Sequence, residues 1–163
     1  MVFVPLGFFI KGAFEMNEQA ITYWNELKHR HHISEHAFVR AYRFAETPNE
    51  LAQLVIDGIK TASSNTNHFF EQPNRHMPQI GDYNIILNKE FRPVCCIQIT
   101  AVKTCMYEEV DEAFAIAEGD GSYENWDAIH TDYFSEQLAA ANLVFHRQTL
   151  LLCQSFQLID SKN

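Results

Sequence analysis

The sequence lacks the short motifs that mark several common enzyme classes. Its 163 residues contain no G-x-x-x-x-G-K-[ST], G-x-G-x-x-G, G-x-S-x-G or H-E-x-x-H pattern. Their absence excludes the usual phosphate-binding loop, dinucleotide fold, esterase elbow and zinc-protease helix. The sequence also has no apolar run near the ~20 residues that cross a bilayer, so we expect no membrane partner.

Positive charge is scarce in this chain. It has 12 lysine and arginine residues against 21 aspartate and glutamate residues, a formal net charge of −9. Proteins that grip long nucleic acid usually carry a basic face, because neutralised phosphates supply most of the affinity. The charge therefore favours a small nucleoside-type ligand, or single-stranded RNA held in a local cleft, over a long duplex.

Cysteine is also sparse, and it is not arranged as a metal or redox site. The four cysteines are Cys95, Cys96, Cys105 and Cys153, and none forms a C-x-x-C pair. Cys95 and Cys96 are adjacent, and neighbouring residues of a strand point to opposite faces, so the two thiols cannot serve one metal. We interpret all four as reduced, buried residues of a cytoplasmic protein.

Histidine is concentrated in residues 29–36, which hold four of the eight histidines. His32 and His36 are four residues apart, a spacing that could chelate a metal on a helix. A polar turn capped by Ser34 is the other interpretation, and it is the one we favour. The sequence therefore predicts no metal and no cofactor.

The overall composition, 47% hydrophobic and 20% charged, is typical of one globular domain with a sizeable core. We interpret residues 1–15 as an N-terminal extension and residues 16–163 as the domain. The pattern predicts helices at 17–28, from 48 to the glycine at 58, at 108–117 and at 122–138, and strands at 39–45, 83–87, 93–104 and 150–159. Strands and helices that alternate irregularly favour an α+β domain built on a small mixed β-barrel.

The most informative segment is 50–65, ELAQLVIDGIKTASSN. Gly58 stands where a helix ends, because glycine takes the left-handed conformation without steric cost. We predict that a turn follows and presents the Lys60 ammonium group and the hydroxyls of Thr61, Ser63 and Ser64. A lysine three residues before a serine can place a base beside a nucleophile, or it can bind an anion.

Two further groups could carry chemistry. Glu118 and Asp120 flank a glycine between two predicted helices, where a carboxylate could act as an acid, a base or an orienting group. They could equally form a solvated helix end. Trp126 and His130 lie one helical turn apart, and a core tryptophan beside a structural histidine is the commoner arrangement.

These motifs occur in a specific order along the chain. They are G-x-K-T-x-[ST] at 58–63, P-x-x-G-D at 78–82, A-x-x-E-G at 115–119 and W-x-x-x-H at 126–130. The ordered set closely resembles the ASCH domain family, and the resemblance covers about 42–159.

The resemblance implies a PUA-like fold, a small β-barrel with helices packed around it, and a cleft for RNA or a nucleoside. Some small members deacylate N4-acetylcytidine with a lysine, a threonine three residues later and a glutamate. Those roles carry over to Lys60, Ser63 and Glu118, with serine replacing threonine. Asp120 is an alternative acid, and the 66–79 loop is longer than the short members need. Another member is a ribonuclease.

We therefore expect a hydrolase that acts on a modified nucleoside or a similar small amide. Lys60 would activate Ser63, Glu118 would orient the lysine or move a proton, and backbone N–H groups of the 61–65 turn would stabilise the oxyanion. The expected ligand-binding residues are Thr61, Ser64, Asn65, Asp120, Trp126 and His130. The alternative is a non-catalytic RNA-binding module or a ribonuclease that uses the same cleft. The oligomeric state is open, and a dimer is one option.

Overall fold

The computed structural model describes residues 16–45 and 47–162. The predicted N-terminal extension, residues 1–15, lies outside the described residues. The helices are α1 (Glu18–His31), α2 (Pro48–Ile56), α3 (Asn67–Phe70), α4 (Glu112–Ala117) and α5 (Tyr123–Ala140), with a 3₁₀ turn at Tyr107–Glu109. The strands are β1 (Val39–Tyr42), β2 (Ala62–Thr66), β3 (Tyr83–Leu87), β4 (Pro93–Met106) and β5 (Leu150–Ser161).

The strands form one mixed sheet in the order β1-β3-β4-β5-β2. β1 pairs in parallel with β3, and the other pairs are antiparallel. The two edge strands nevertheless approach each other. Residues of both strands line one small cavity: Arg40 and Tyr42 of β1, and Ser63 and Asn65 of β2. This curvature agrees with the predicted barrel-like sheet, and the α+β fold class is confirmed.

The segment that leads into the site is fixed by local backbone bonds. Gly58 has φ +73° and ends α2: its N–H donates to the carbonyl of Val55 (3.1 Å), and the next N–H donates to Leu54 (2.9 Å). The N–H of Lys60 also donates to the Leu54 carbonyl at 3.0 Å. The predicted helix end at Gly58 is therefore present, and it sets the position of Lys60 relative to α2.

The turn predicted after Lys60 is wrong. The residues Ala62–Thr66 form β2, which pairs with β5 from Ala62↔Ser155 to Thr66↔Leu151. Serine and asparagine are poor strand formers, but pairing with a long neighbouring strand outweighs that local preference.

Two helical predictions also differ from the structure. The predicted helix at 108–117 is a 3₁₀ turn followed by α4, because Asp111 takes an extended conformation and accepts from the N–H of Phe114 (2.8 Å), which starts a new helix. The spacing of Trp126, Ile129, Tyr133 and Phe134 predicts one buried side for the helix at 122–138, and within α5 Trp126 and Phe134 are buried. Ile129 is 43% exposed.

The adjacent residues Cys95 and Cys96 point to opposite faces of β4, as predicted for neighbouring residues of a strand. Cys95 packs in the cluster that includes Val55 of α2, and Cys96 packs in the cluster under α1 that includes Leu27. All four cysteines of the chain are free and buried.

The histidine-rich segment forms a polar turn. His32 ends α1 in the left-handed conformation, with φ 52°, and the Ser34 hydroxyl accepts from the N–H of His36 at 3.2 Å. Within 16–45 and 47–162, no group of three or more His, Cys, Asp or Glu side chains is arranged to hold a metal ion. In the same part of the chain, no helix has both the length and the apolar character needed to cross a bilayer.

Candidate active site

A cavity of about 160 Å³ lies between α2, β2, the α4–α5 connection and α5. We call it the main cavity because it contains the predicted catalytic residues, although it is not the largest. Its lining residues are Phe44, Ala45, Thr47, Leu51, Lys60, Ser63, Ser64, Glu118, Asp120, Ile129, His130 and Tyr133. The structure therefore brings together all three predicted catalytic residues with Ser64, Asp120 and His130.

Lys60 is buried, with 5% of its surface exposed. Its Nζ donates to the backbone carbonyls of Ala62 and Glu118, both at 2.9 Å, and lies 3.8 Å from Glu118 Oε1. The ring of Phe44 lies 5.1 Å from the same nitrogen. Burial lowers the pKa of Lys60, because loss of hydration outweighs the opposing attraction of the Glu118 and Asp120 carboxylates.

Glu118 follows the last turn of α4 and points inward. Its Oε1 accepts from the Ser64 N–H (2.9 Å), and its Oε2 accepts from Ser64 Oγ (2.6 Å) and from Trp126 Nε1 (2.5 Å). The next residue, Gly119, has φ +98°, and a Cβ there would lie 3.2 Å from Leu54 Cδ1. A glycine is therefore needed for the chain to turn this close to α2.

The Glu118 carboxylate is ionised despite its burial. Desolvation would raise its pKa, but the charge and hydrogen bond of His130, the charge of Lys60 and the hydrogen bond from Ser64 together lower it to about 2. A carboxylate with this pKa is a weak proton carrier near neutral pH, so its chemistry is that of a fixed negative charge.

His130 and Asp120 stand beside this carboxylate. His130 stacks on Trp126 at 4.6 Å, its Nδ1 donates to the Trp126 carbonyl at 3.0 Å, and its Nε2 lies 3.4 Å from Glu118 Oε2. Burial acts to lower the pKa of His130, but Glu118 and Asp120 outweigh it, so the pKa is raised. The pKa of Asp120 is raised mainly by its own burial and further by Glu118. Its buried Oδ2 has no hydrogen-bond partner among the described residues.

Ser63 is half-buried in β2 and lines the main cavity. Its side chain makes no hydrogen bond within the described part of the chain, and the Lys60 amine contacts carbonyls instead. The predicted base–nucleophile contact is therefore absent as a preformed hydrogen bond. Such contacts often tighten only when substrate binds.

The remaining predicted site residues do not line the main cavity. Thr61 is exposed, and its N–H donates to the Ala117 carbonyl at 2.7 Å, which joins β2 to the end of α4. Asn65 is buried, and its Oδ1 accepts from Gln137 Nε2 at 2.8 Å. Trp126 is fully buried in the core and acts on the site through its bond to Glu118.

The predicted oxyanion turn is also wrong. The 61–65 backbone belongs largely to the sheet, where antiparallel pairing with β5 uses its amides. The N–H of Ser64 donates to Glu118 Oε1, so it is not available to a substrate oxygen.

Sequence reasoning missed the apolar walls of the main cavity, Phe44, Leu51, Ile129 and Tyr133. The spacing of Ile129 and Tyr133 predicts a buried helix face. A helix face that lines a cavity has the same periodicity as one that packs in the core. Phe44 lies just after β1 and carries no motif that could have revealed its role.

The fold and the main cavity define an α+β protein of PUA-like architecture with a polar cleft beside a curved sheet. The family model for the ASCH domain matches residues 40–160, and the chain belongs to the ASCH domain family. ASCH domains are associated with RNA binding.

Two solved structures are similar to this chain over most of their length. One is an ASCH domain from Lactobacillus crispatus JV V101, with 28% identity and a TM-score of 0.79, covering 88% of this chain and 95% of that one. The other is a protein of Enterococcus faecalis V583, with 30% identity and a TM-score of 0.79, covering 88% and 90%. No curated protein matches the chain significantly.

Proposed function

We propose that this protein hydrolyses an N-acylated nucleoside or a similar small amide, with N4-acylcytidine as the model substrate. Lys60 is the base, Ser63 the nucleophile, Glu118 the orienting carboxylate and Asp120 the proton donor. No metal or cofactor enters this scheme.

One observation carries the proposal. The Lys60 Nζ has two carbonyl acceptors at 2.9 Å, from Ala62 and Glu118. A neutral amine has two N–H groups and one lone pair, so these two carbonyls match its donors and leave the lone pair free. The lowered pKa of Lys60 favours the same neutral form. A buried lysine held this way is suited to accept a proton.

The first half of the reaction uses that lone pair. Lys60 accepts the proton of Ser63 Oγ, and the oxygen attacks the acyl carbon to form a tetrahedral intermediate. The C–N bond then breaks, and the leaving nitrogen receives a proton from the Asp120 carboxyl group. The raised pKa of Asp120 supports this role, whereas the fully hydrogen-bonded Glu118 lacks a proton to give.

The second half returns the groups to their starting states. Water attacks the acyl-serine and gives one proton to Asp120. The ester C–O bond breaks, Ser63 recovers its proton from the Lys60 ammonium group, and the carboxylic acid leaves. The two protons that moved in the first half are thereby restored.

The character of the main cavity supports an uncharged reacting group. Among its described lining residues, with Lys60 neutral and Asp120 protonated, the charge of His130 is balanced by that of Glu118, and the apolar walls include the rings of Phe44 and Tyr133. Flat aromatic or apolar walls with a few convergent polar groups are typical of sites for small organic ligands. A cytosine ring with an acyl substituent has this mixed character.

RNA binding or RNA cleavage in the same cleft is the second candidate. It is favoured by the association of the family with RNA. Salt separates the two candidates, since RNA binding weakens steeply with salt and hydrolysis of a neutral nucleoside does not. The net charge of −9 makes the hydrolase the better supported of the two.

The test is hydrolysis of a panel of N4-acylated cytidines and related amides by the wild type, Lys60→Met and Ser63→Ala. Ser64→Ala is the matched comparison for Ser63→Ala, because the two serines are adjacent in β2 and both line the main cavity. We expect turnover that Lys60→Met and Ser63→Ala abolish and Ser64→Ala only reduces. Turnover retained by Ser63→Ala and lost in Ser64→Ala would assign the nucleophile to Ser64 and contradict the proposal.

A further inference from the structure

A second, much smaller cavity adjoins the main cavity. Its volume is about 10 Å³, and its polar lining residues are Arg40, Tyr42, Ser63, Ser64, Asn65 and Gln154. Ser63 and Ser64 line both cavities, so the two cavities meet at β2. We call the smaller cavity the arginine slot. A space of this size holds about one oxygen-sized atom.

The arginine slot contains a buried cation that has no counter-ion among the described residues. Arg40 is 5% exposed, and its Nε donates to Asn84 Oδ1 at 2.7 Å. Within 16–45 and 47–162, no carboxylate lies within salt-bridge distance of its guanidinium group. Asp82 acts on it only through longer-range charge, and the carboxylate of Asp82 is engaged by His76 (2.8 Å) and the Gln79 N–H (2.9 Å). A buried, unpaired charge is costly, and such groups usually have a partner.

The groups around Arg40 add donors rather than negative charge. Asn65 is 3% exposed and Gln154 is 7% exposed. The amide of Asn65 is oriented by two bonds to its Oδ1, from the Thr66 N–H and from Gln137 Nε2, both at 2.8 Å. Neither its NH₂ group nor the Gln154 side chain has a hydrogen-bond partner among the described residues. The slot therefore combines a guanidinium group, two carboxamides, a phenol and two serine hydroxyls, of which that of Ser64 donates to Glu118.

We propose that the arginine slot binds an oxygen of a phosphate group, so that the substrate is a nucleotide rather than a free nucleoside. Arginine forms strong, charge-assisted hydrogen bonds to phosphate. The base and its acyl group occupy the charge-balanced main cavity, and the phosphate lies across Ser63 and Ser64 against Arg40. This inference rests on the proposed function only for the identity of the base.

The test is isothermal titration calorimetry with 5′-CMP, cytidine and the dinucleotide CpU, none of which needs turnover. We expect the wild type to bind 5′-CMP at least ~10-fold more tightly than cytidine, because only the nucleotide offers the charged group. Arg40→Gln should remove that preference and leave cytidine binding unchanged. Arg43→Gln is the matched control, since Arg43 donates to the Lys89 carbonyl at 2.9 Å and lines neither cavity.

Gln154→Leu removes a neutral donor from the slot and should reduce the preference for 5′-CMP several-fold, which keeps the test decisive if Arg40→Gln does not fold. Tight binding of CpU that depends equally on Arg40 supports the site and assigns it to an RNA phosphodiester. Equal wild-type affinities for 5′-CMP and cytidine overturn the proposal, as does a preference that survives in Arg40→Gln. A phosphate preference without amide turnover leaves this site standing and removes the hydrolase.

Discussion

Two carboxylates in this protein, Glu118 and Asp160, have lowered pKa values for different reasons. Burial acts against ionisation at both. Asp160 accepts from Tyr23 Oη (2.6 Å) and Arg30 Nη1 (2.9 Å), and its side chain is 12% exposed at the surface end of β5. Glu118 is 3% exposed, and its cationic neighbours are Lys60 and His130.

The difference lies in whether a permanent cation is among the partners. Arg30 is charged at all ordinary pH values, so Asp160 keeps an ion-pair partner that ties α1 to β5 whether or not His31, whose Nε2 lies 3.3 Å from Oδ1, is protonated. Lys60 and His130 can exist in either form, and both line a cavity that a ligand can enter. The comparison indicates that Asp160 is structural and that Glu118 belongs to a site able to move protons.

The largest expected effect distinguishes Lys60 of the main cavity from Arg30 of the Asp160 cluster. Lys60→Met should lower turnover of N4-acetylcytidine by at least ~10²-fold, because a general base contributes about that much or more. Arg30→Met should leave turnover near the wild-type value, because Arg30 bonds to Asp160 and does not line the main cavity. The measurement is steady-state hydrolysis, with circular dichroism to check the fold. A comparable loss in both variants would mean that turnover reports stability rather than catalysis.

Removal of the carboxylates should affect stability unequally. Glu118→Ala leaves the buried His130 without its counter-charge and Ser64 and Trp126 without their acceptor, and it should lower the free energy of unfolding by about 3–5 kcal/mol. Asp160→Ala should cost about 1 kcal/mol, because Arg30 is half-exposed and regains hydration. Urea unfolding of both variants at neutral pH checks this. Equal losses would show that the two clusters are equally structural.

Removal of one hydrogen-bond donor from each carboxylate compares the two clusters through smaller effects on stability. Trp126→Phe removes the N–H that donates to Glu118 Oε2 and should cost about 1.5–3 kcal/mol, as expected for a bond to a charged group. Tyr23→Phe removes the O–H that donates to Asp160 and should cost less, about 0.5–1.5 kcal/mol, because water and Arg30 compensate. Urea unfolding of the two variants provides the values, and the reverse order would contradict the assignment.

The last comparison concerns the pH dependence of stability. Glu118 has an unfolded-state pKa of 4.5 and a folded-state pKa of about 2. Its stabilisation is therefore fully present above pH 4.5 and is lost as pH falls toward 2. His130 has a raised pKa, so its contribution is present below its unfolded pKa of 6.5 and is lost as pH rises through the folded value.

We expect Glu118→Gln to flatten the change of unfolding free energy between about pH 4.5 and 2, and His130→Gln to flatten the change above pH 6.5. Asp160→Asn is the control for the change below pH 4.5, and it should flatten that change less than Glu118→Gln does. Urea titrations at a series of pH values test the sign of each slope. If the fall in unfolding free energy at acid pH is the same in Glu118→Gln as in the wild type, other carboxylates cause it.

Sequence patterns correctly predicted the elements whose backbone conformation depends mainly on neighbouring residues. Residues 83–87 form β3 as predicted, and β4 extends the predicted 93–104 strand only to Met106. Both have the apolar, β-branched pattern of buried strands. The helix end at Gly58 was equally clear, because only glycine fits that conformation cheaply. The ASCH resemblance was confirmed by the family match over 40–160.

The site was harder to predict because its contacts join distant parts of the chain. Ser64 and Glu118, which share two hydrogen bonds, are 54 residues apart. No spacing rule could show that Ser64, rather than Ser63, bonds to this carboxylate. Arg40 carried no motif at all, and only the approach of β1 to β2 places it beside Asn65.

The sequence by itself determined the class of fold, the end of α2 before Lys60 and the presence of a lysine, hydroxyls and carboxylates in family order. Tertiary structure alone decided that Ala62–Thr66 is a strand, that Glu118 is ionised, and that Arg40 is buried without a counter-ion among the described residues. Backbone conformation depends largely on neighbouring residues, whereas hydration and electrostatic energy depend on every group that surrounds a side chain in the folded molecule.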